Sequence, residues 1–313
     1  YNPVRTIQGA GCAECLPEIL REITAEGGSV LLLVWDEAVL RYPVFRRLTE
    51  PGAAFEIHPI VFRASNPTVE QLYQIYCETK DYAPEIVVAV GGGSVMDVGK
   101  SLCCLYGRNI PDADGLREMI EAKDCGVPGA RWIGVPTTAG TGSEATCWAT
   151  IWDPQKDAKR SIENHQNYAY AALVDPKLAE GMPLKLAVSS ALDAVAHAVE
   201  SYWAKGTNCV SKALALRAIR IIMGHLEKLL AGQAEAHDAM AQGSMLAGLA
   251  FSNTKTTACH SISYPLTMHY GIPHGTAVSM LLAPVLEITA PGIEQPEGLP
   301  AALGVAGPRE LEK

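Results

Sequence analysis

The chain of 313 residues carries 34 acidic against 25 basic side chains, a net charge of −9, with 48% hydrophobic and 19% charged residues. This is the composition of a globular protein long enough for two cores. Its acidity argues against nucleic acid or an anionic membrane as partner, while leaving room for a locally positive site. No uninterrupted apolar run of about 18 residues occurs, so no membrane-spanning helix is expected. No signal-like apolar stretch follows Tyr1, and nine scattered cysteines point to reduced thiols and a cytoplasmic setting.

Residues up to about 180 alternate strand and helix signals. Cys12 and Cys15 form a C-x-x-C leading into a helix, but with no second pair nearby they read as incidental thiols rather than a redox centre. Ser29–Val34 is an apolar strand ending at Trp35-Asp36, Ala38–Leu48 is helix-like, and Ala54–Val61 is a second strand. Thr68–Thr79 is a helix behind Asn66-Pro67, Ile86–Val90 is a buried parallel strand, and Val95–Leu105 is the helix after it. Arg131–Val135 is a further strand, running into the Thr/Gly-rich stretch Pro136–Glu144. This alternation implies an α/β domain with a doubly wound parallel sheet, whose ligands bind at the carboxyl ends of the strands. From about Leu184 Ala-rich helical segments take over: Ser189–Trp203, Ser211–Leu230, Ala236–Phe251 and Thr256–Met268. The expected division is an α/β domain over 1–180 and an all-α domain over 181–313, with residues 290–296 as a loop-like interruption.

Between the strand and the helix at 86–105 stand Gly91, Gly92, Gly93 and Ser94. Three glycines opening a helix let backbone N–H groups approach a phosphate that a side chain would hold off. The spacing is neither the usual dinucleotide fingerprint nor a P-loop, so a plain tight connection remains the other reading. In the helical half, Asp193 and His197 are four apart and share a helix face; His260 lies on another helix and His274 in Gly-Ile-Pro-His-Gly. One carboxylate and three imidazoles can hold a divalent metal and leave a position open for substrate. Any one such histidine alone reads more plainly as a hydrogen-bonded core residue. Four together in apolar surroundings favour the metal, because several unpaired buried polar groups are costly.

The stretches Gly91–Lys100, Pro136–Glu144, Asp175–Pro183, Leu192–Tyr202 and His260–Gly275 together resemble the iron-containing (group III) alcohol dehydrogenase family, through about Leu286. The resemblance implies a Rossmann-like nucleotide domain followed by a helical metal domain, a homodimer, and a small-molecule aldehyde or alcohol substrate. It implies Asp193, His197, His260 and His274 as ligands of Fe²⁺, with Zn²⁺ or Mn²⁺ fitting similar groups. It makes Gly91, Gly92, Gly93 and Ser94 the pyrophosphate loop and puts Asp97 near the nicotinamide end. It lays Thr137, Thr138, Thr141 and Ser143 along the cofactor and Lys159 at a ribose. Asp36, after the first strand, suits the adenosine ribose hydroxyls and favours NAD(H) over NADP(H); it also reads as a helix N-cap. The implied chemistry is hydride delivery to an aldehyde whose oxygen a metal polarises.

One position departs from the family pattern. Where many members have a second histidine four residues after the third ligand, this chain has Tyr264, so a proton relay falls to Tyr264, His269 or a cofactor-ribose hydroxyl. The stretch Ala250–His260 sets Asn253, Thr254, Lys255, Thr256 and Thr257 beside a ligand where many members have small apolar residues. That suits an anionic group on the substrate, although Lys255 also reads as a solvated helix-end charge. With Thr146–Thr150 and Ser263–Thr267, it resembles the phosphonoacetaldehyde reductase subgroup and nominates Trp148, Asn253, Lys255 and Thr256 as substrate contacts. A general short-chain alcohol/aldehyde dehydrogenase is the alternative. A dehydroquinate-synthase-like lyase and a catalytically silent assembly domain are the remote ones.

Overall fold

A computed structural model describes residues 2–307 and Glu310. The chain forms two compact units: residues 3–137 with 146–175, and residues 176 onward with 138–145 and Asn2. One boundary between the units falls at 175/176, and most of the Thr/Gly-rich stretch, 138–145, is grouped with the helices.

The α/β unit is built on β1 (Arg5–Gln8), α1 (Leu16–Ile23), β2 (Ser29–Val34), α2 (Pro43–Thr49), β3 (Glu56–Val61), α3 (Val69–Thr79), β4 (Ile86–Gly91), α4 (Gly93–Leu105), α5 (Ala113–Glu121), β5 (Arg131–Pro136), β6 (Trp148–Asp153), β7 (Ala158–Glu163) and β8 (Ala171–Val174). Six of these strands form an all-parallel sheet in the order β1-β8-β5-β4-β2-β3. The central strands are continuous apolar runs because helices cover both faces of such a sheet; Val30 to Val34 and Ile86 to Val90 are all buried. Register aligns Val34 with Val90 and Gly91 with Pro136, so Asp36, the glycine run and Thr137 fall on one carboxyl edge.

Three departures from the sequence reading have local causes. The helix expected over 38–48 breaks into a 3-10 turn at Glu37–Arg41 and α2, because Pro43 lacks an N–H and holds Tyr42 extended at φ −61°, ψ 140°. Thr68 caps α3 instead of lying in it, in a capping box with Gln71. The antiparallel hairpin β6–β7 and the short strands β1 and β8 were not anticipated. In the C-x-x-C, burial, with Asp175 nearby, pushes the Cys12 thiol up to about 12, and the nine cysteines are unpaired.

The helical unit contains α6 (Leu184–Trp203), α7 (Cys209–Leu230), α8 (Glu235–Phe251), α9 (Ala258–Tyr270), α10 (His274–Thr289) and α11 (Gly298–Leu303). α6 is its hub, packing on α7, α8 and α10. Ala187, Ala191, Ala194 and Ala198 are buried along it, and such small side chains let neighbouring helices approach closely. The expected helix over 256–268 starts two residues later: Lys255 is left-handed at φ 63°, and Thr257 is the N-cap. The segment His274–Gly292 is apolar and long enough to span a membrane by composition, with mean hydropathy 1.2. One side of it packs into the helical unit, with Ala277, Val278, Leu282 and Leu286 buried, while Met280 and Ile288 are exposed. The tail at 290–296 is a 3-10 turn and a pinned loop, where Tyr202 Oη donates to the Gln295 carbonyl at 2.8 Å.

Candidate metal centre and phosphate cradle

Three helices of the helical unit bring the metal candidates together. Asp193 sits mid-way along α6, His260 in the first turn of α9, and His274 is the first residue of α10. Donor atoms of these three lie within 4.8 Å of one another. Asp193 Oδ1 is 3.5 Å from His260 Nε2 and 4.0 Å from His274 Nε2. His274 is seated by its neighbour: a Cβ on Gly275 would stand 2.3 Å from the Ser189 carbonyl oxygen, so only glycine lets α10 start this close to α6.

His197 lies beside this set rather than inside it. Its ring stacks between Phe251 and His260, each centroid 4.3 Å away, with Nδ1 3.9 Å from Asp193 Oδ2. Burial pulls His197 down to about 4, so it stays neutral and keeps a lone pair for a cation.

Asp193 Oδ1, His197 Nδ1 and His260 Nε2 are buried with no hydrogen-bond partner. A sequestered group of lone-pair donors left in this way is costly without a cation. Electrostatics point the same way. Burial opposes ionisation of Asp193, but His197, His260 and His274 outweigh it and hold the carboxyl well below the usual carboxylate range. Glu200, one turn beyond His197 on α6 and fully buried, is also held low, its burial outweighed by the hydrogen bond from His260. Two buried carboxylates in an imidazole cluster call for positive charge, and a divalent ion bound by one Asp and several His fits that need.

Glu200 was not singled out from sequence, although it lies within the Leu192–Tyr202 stretch. Its signal is the spacing of Asp193, His197 and Glu200, four and then three apart in a helix otherwise rich in Ala and Val. One oxygen accepts from Thr257 Oγ1 at 2.7 Å and from the Cys259 amide at 2.6 Å, and the other accepts from His260 Nδ1.

Tyr264 stacks on His274 at 6.2 Å between ring centroids and hydrogen-bonds Thr256. Burial pushes its hydroxyl up to about 12, so it remains a donor through the neutral range. His269 is exposed at the last turn of α9, five residues past Tyr264 and so on a different side of the helix. Among the nominated substrate contacts, Asn253 donates to the Leu249 carbonyl at 2.9 Å, while Lys255 is exposed. Thr254 Oγ1 meets Ser201 Oγ at 3.0 Å, and Trp203 Nε1 donates to Thr257 Oγ1 at 2.7 Å, so the 252–257 turn is tied to α6. Trp148 belongs to the α/β unit, where its carbonyl accepts from Lys100 Nζ at 2.9 Å.

In the α/β unit, Gly92 is the N-cap of α4, whose first amides have no partner within the helix and no side-chain cap. With the helix dipole, this suits Gly91, Gly92, Gly93 and Ser94 to an anion. Thr137 N donates to the Gly91 carbonyl at 3.0 Å, and Ser94 Oγ accepts from Asn66 N at 3.1 Å. Asp97 lies in the next turn, 3.8 Å from the fully buried Lys100, which also donates to Thr146 Oγ1 at 2.8 Å. Asp36 holds the expected N-cap posture, accepting from the Ala38 amide at 2.8 Å, and it also accepts from Arg63 Nε at 3.1 Å. Arg63 was not foreseen. Lys159 lies over the Trp152 ring at 5.8 Å on β7. Thr138, Thr141 and Ser143 belong to the helical unit, where Gly142 packs against Gly248.

A parallel α/β unit with an uncapped glycine-bordered helix, joined to a helical unit with an Asp/His cluster, fits a metal-type dehydrogenase. Family models agree: "Iron-containing alcohol dehydrogenase" matches residues 3–176, and "Fe-containing alcohol dehydrogenase family, C-terminal" matches 187–304. The chain belongs to the iron-containing alcohol dehydrogenase family, whose members use NAD(H) and a divalent metal to interconvert alcohols and aldehydes. It is 30% identical over 273 residues to lactaldehyde reductase of Escherichia coli K12, covering 86% of this chain and 70% of that one. It is 31% identical over 246 residues to phosphonoacetaldehyde reductase of Streptomyces viridochromogenes, covering 77% and 62%. Its fold superposes on sulfoacetaldehyde reductase of Bifidobacterium kashiwanohense in complex with NAD⁺, with a TM-score of 0.82 at 26% identity, covering 97% and 85%.

Proposed function

We propose that the protein is an NAD(H)-linked, divalent-metal-dependent reductase of a short aldehyde carrying an anionic group, with phosphonoacetaldehyde as substrate and 2-hydroxyethylphosphonate as product. The observation that carries the chemistry is the buried convergence of Asp193, His260 and His274, with three lone-pair donors of the cluster left without hydrogen bonds. When bound, the metal supplies Lewis acidity to the carbonyl oxygen, and the nicotinamide supplies the hydride.

The chain's own residues do the rest. Asp193, His260 and His274 hold the ion, with His197 as fourth ligand. Asp193 adds the negative charge that retains it, and the neutral imidazoles set its shape. Gly91, Gly92, Gly93 and Ser94 cradle the pyrophosphate, Asp36 accepts from the ribose hydroxyls, and Asp97, Thr137, Thr138, Thr141, Ser143 and Lys159 line the rest of the cofactor. Tyr264, held as a neutral hydroxyl against His274, donates the proton that the alcohol product needs. Lys255 supplies the cation for the phosphonate, and the relatives that act on phosphonoacetaldehyde and sulfoacetaldehyde support an anionic two-carbon substrate.

A second reading has its own observation. Asn253, Thr254, Thr256 and Thr257 engage Leu249, Ser201, Tyr264 and Glu200 within the unit, which thins the anion pocket toward that of a general short-chain aldehyde reductase. The test is NADH oxidation by the Fe²⁺-loaded protein on phosphonoacetaldehyde, propanal and acetaldehyde, before and after Lys255→Ala. A preference for the phosphonate, with its KM rising about tenfold in the variant (the ~1.4 kcal/mol of one charge-assisted contact) and propanal unaffected, supports the anionic substrate. Equal losses on both leave a general reductase. No turnover of any aldehyde overturns the reductase reading.

A further inference from the structure

We propose that Glu200 is the positioning residue of the metal centre, fixing His260 in the one tautomer that can bind metal. The inference rests on the metal reading above and adds a residue to it. Glu200 is fully buried and meets three donors at once: Thr257 Oγ1 at 2.7 Å, the Cys259 amide at 2.6 Å and the His260 ring at Nδ1. A carboxylate only accepts, so Nδ1 of His260 must carry a proton, and in the neutral ring, the form that binds a metal, the lone pair is left on Nε2. That nitrogen is the one aimed into the cluster, buried without a hydrogen bond and 3.5 Å from Asp193 Oδ1. A metal-bound imidazole is ordinarily oriented by such an acceptor behind it, which also raises its basicity.

The same carboxylate serves α9. Thr257 is the N-cap of that helix and Cys259 is in its first turn, so Glu200 satisfies an orphan amide and places negative charge at the positive end of the dipole. It therefore fixes both the backbone and the ring of His260 from α6, the helix that carries Asp193 and His197. The two roles can be separated by Glu200→Gln. The amide oxygen can still accept from Thr257 and Cys259, which keeps the cap. The amide NH₂ then faces His260 Nδ1 and demands a lone pair there. That moves the ring proton to Nε2 and blocks ligation.

The experiment is metal binding rather than turnover. Zn²⁺ affinity is measured by chelator competition, and the Co²⁺-loaded protein is examined by absorption, in wild type, Glu200→Gln and Glu200→Asp. The expected result is a 10–100-fold weaker Kd in Glu200→Gln, the usual cost of losing such a partner, with an altered Co²⁺ spectrum, metal-free melting close to wild type, and partial recovery in Glu200→Asp. Unchanged affinity and spectrum in Glu200→Gln would overturn the proposal. Should that variant fail to fold, ¹⁵N NMR of the histidine rings in Zn²⁺-loaded wild type decides: a protonated Nδ1 with metal on Nε2 of His260 supports it, and the reverse overturns it. Failure of wild type itself to bind metal would instead remove the metal reading on which the proposal stands.

Discussion

Asp36 illustrates how one side chain can carry two jobs that a substitution can split. It caps Ala38 and holds Arg63, whose guanidinium also pairs with Glu37. The capping bond from Ala38 and the bond from Arg63 hold the Asp36 carboxyl below its ordinary range, so it is ionised in the neutral range and, placed at the ribose as proposed, would repel a 2′-phosphate. Arg63 is the group that would welcome that phosphate once Asp36 no longer engages it. Asp36→Ser keeps a capping oxygen, removes the negative charge and releases Arg63. The ratio of kcat/KM for NADPH over NADH is expected to rise at least about tenfold, equivalent to ~1.4 kcal/mol, and Arg63→Ala in the same background should take most of the gain away. An unchanged ratio would leave Asp36 as a helix cap alone.

At the scale of elements, the candidate metal centre is expected to depend on how closely α10 starts against α6. Gly275 touches the Ser189 carbonyl, and an added Cβ would sit 2.3 Å from that oxygen, while Gly224 on the exposed face of α7 has open space around it. Gly275→Ala should push the start of α10 outward and carry His274 away from Asp193, destabilising by about 1–3 kcal/mol as overpacking does and weakening metal binding. Gly224→Ala should leave metal binding alone and hold or raise stability. Equal metal affinity in both would mean that the seat of α10 does not set the position of His274. Much of this element layout was legible beforehand. β2, β4 and β5 are apolar runs, and α6, α7 and α8 repeat their small apolar residues at helical spacing. β1 and β8 were missed because four residues are too short to show a period, and β6–β7 because its strands mix apolar with charged residues. Asp193, His197, His260 and His274 were legible as residue types. Glu200, Lys100 and Arg63 were not, because a charged side chain in a helix or after a strand ordinarily reads as solvated, and only the packing shows that Glu200 and Lys100 are wholly buried.

Taken whole, the molecule has two units with separate cores, one around the parallel sheet and one around α6. Ligands that bind native structure alone stabilise it by mass action, about 4 kcal/mol at a thousandfold excess over Kd. The donors of the candidate centre come from α6, α9 and α10, elements that meet only when the helical unit is folded, and the phosphate cradle comes from β4 and α4 of the other unit. Metal and dinucleotide should therefore protect different parts of the chain. Amide hydrogen exchange of chelator-stripped protein is expected to slow on α6, α9 and α10 when Zn²⁺ is restored, with β2, β4 and β5 little changed. NADH without metal should slow the β4–α4 turn and leave α9 alone. Protection by Zn²⁺ centred on the sheet, or none on α6, would place the metal elsewhere than the Asp193 cluster. A protein that responds to NADH but to no divalent ion would have kept the cofactor half of the family's equipment without the metal half.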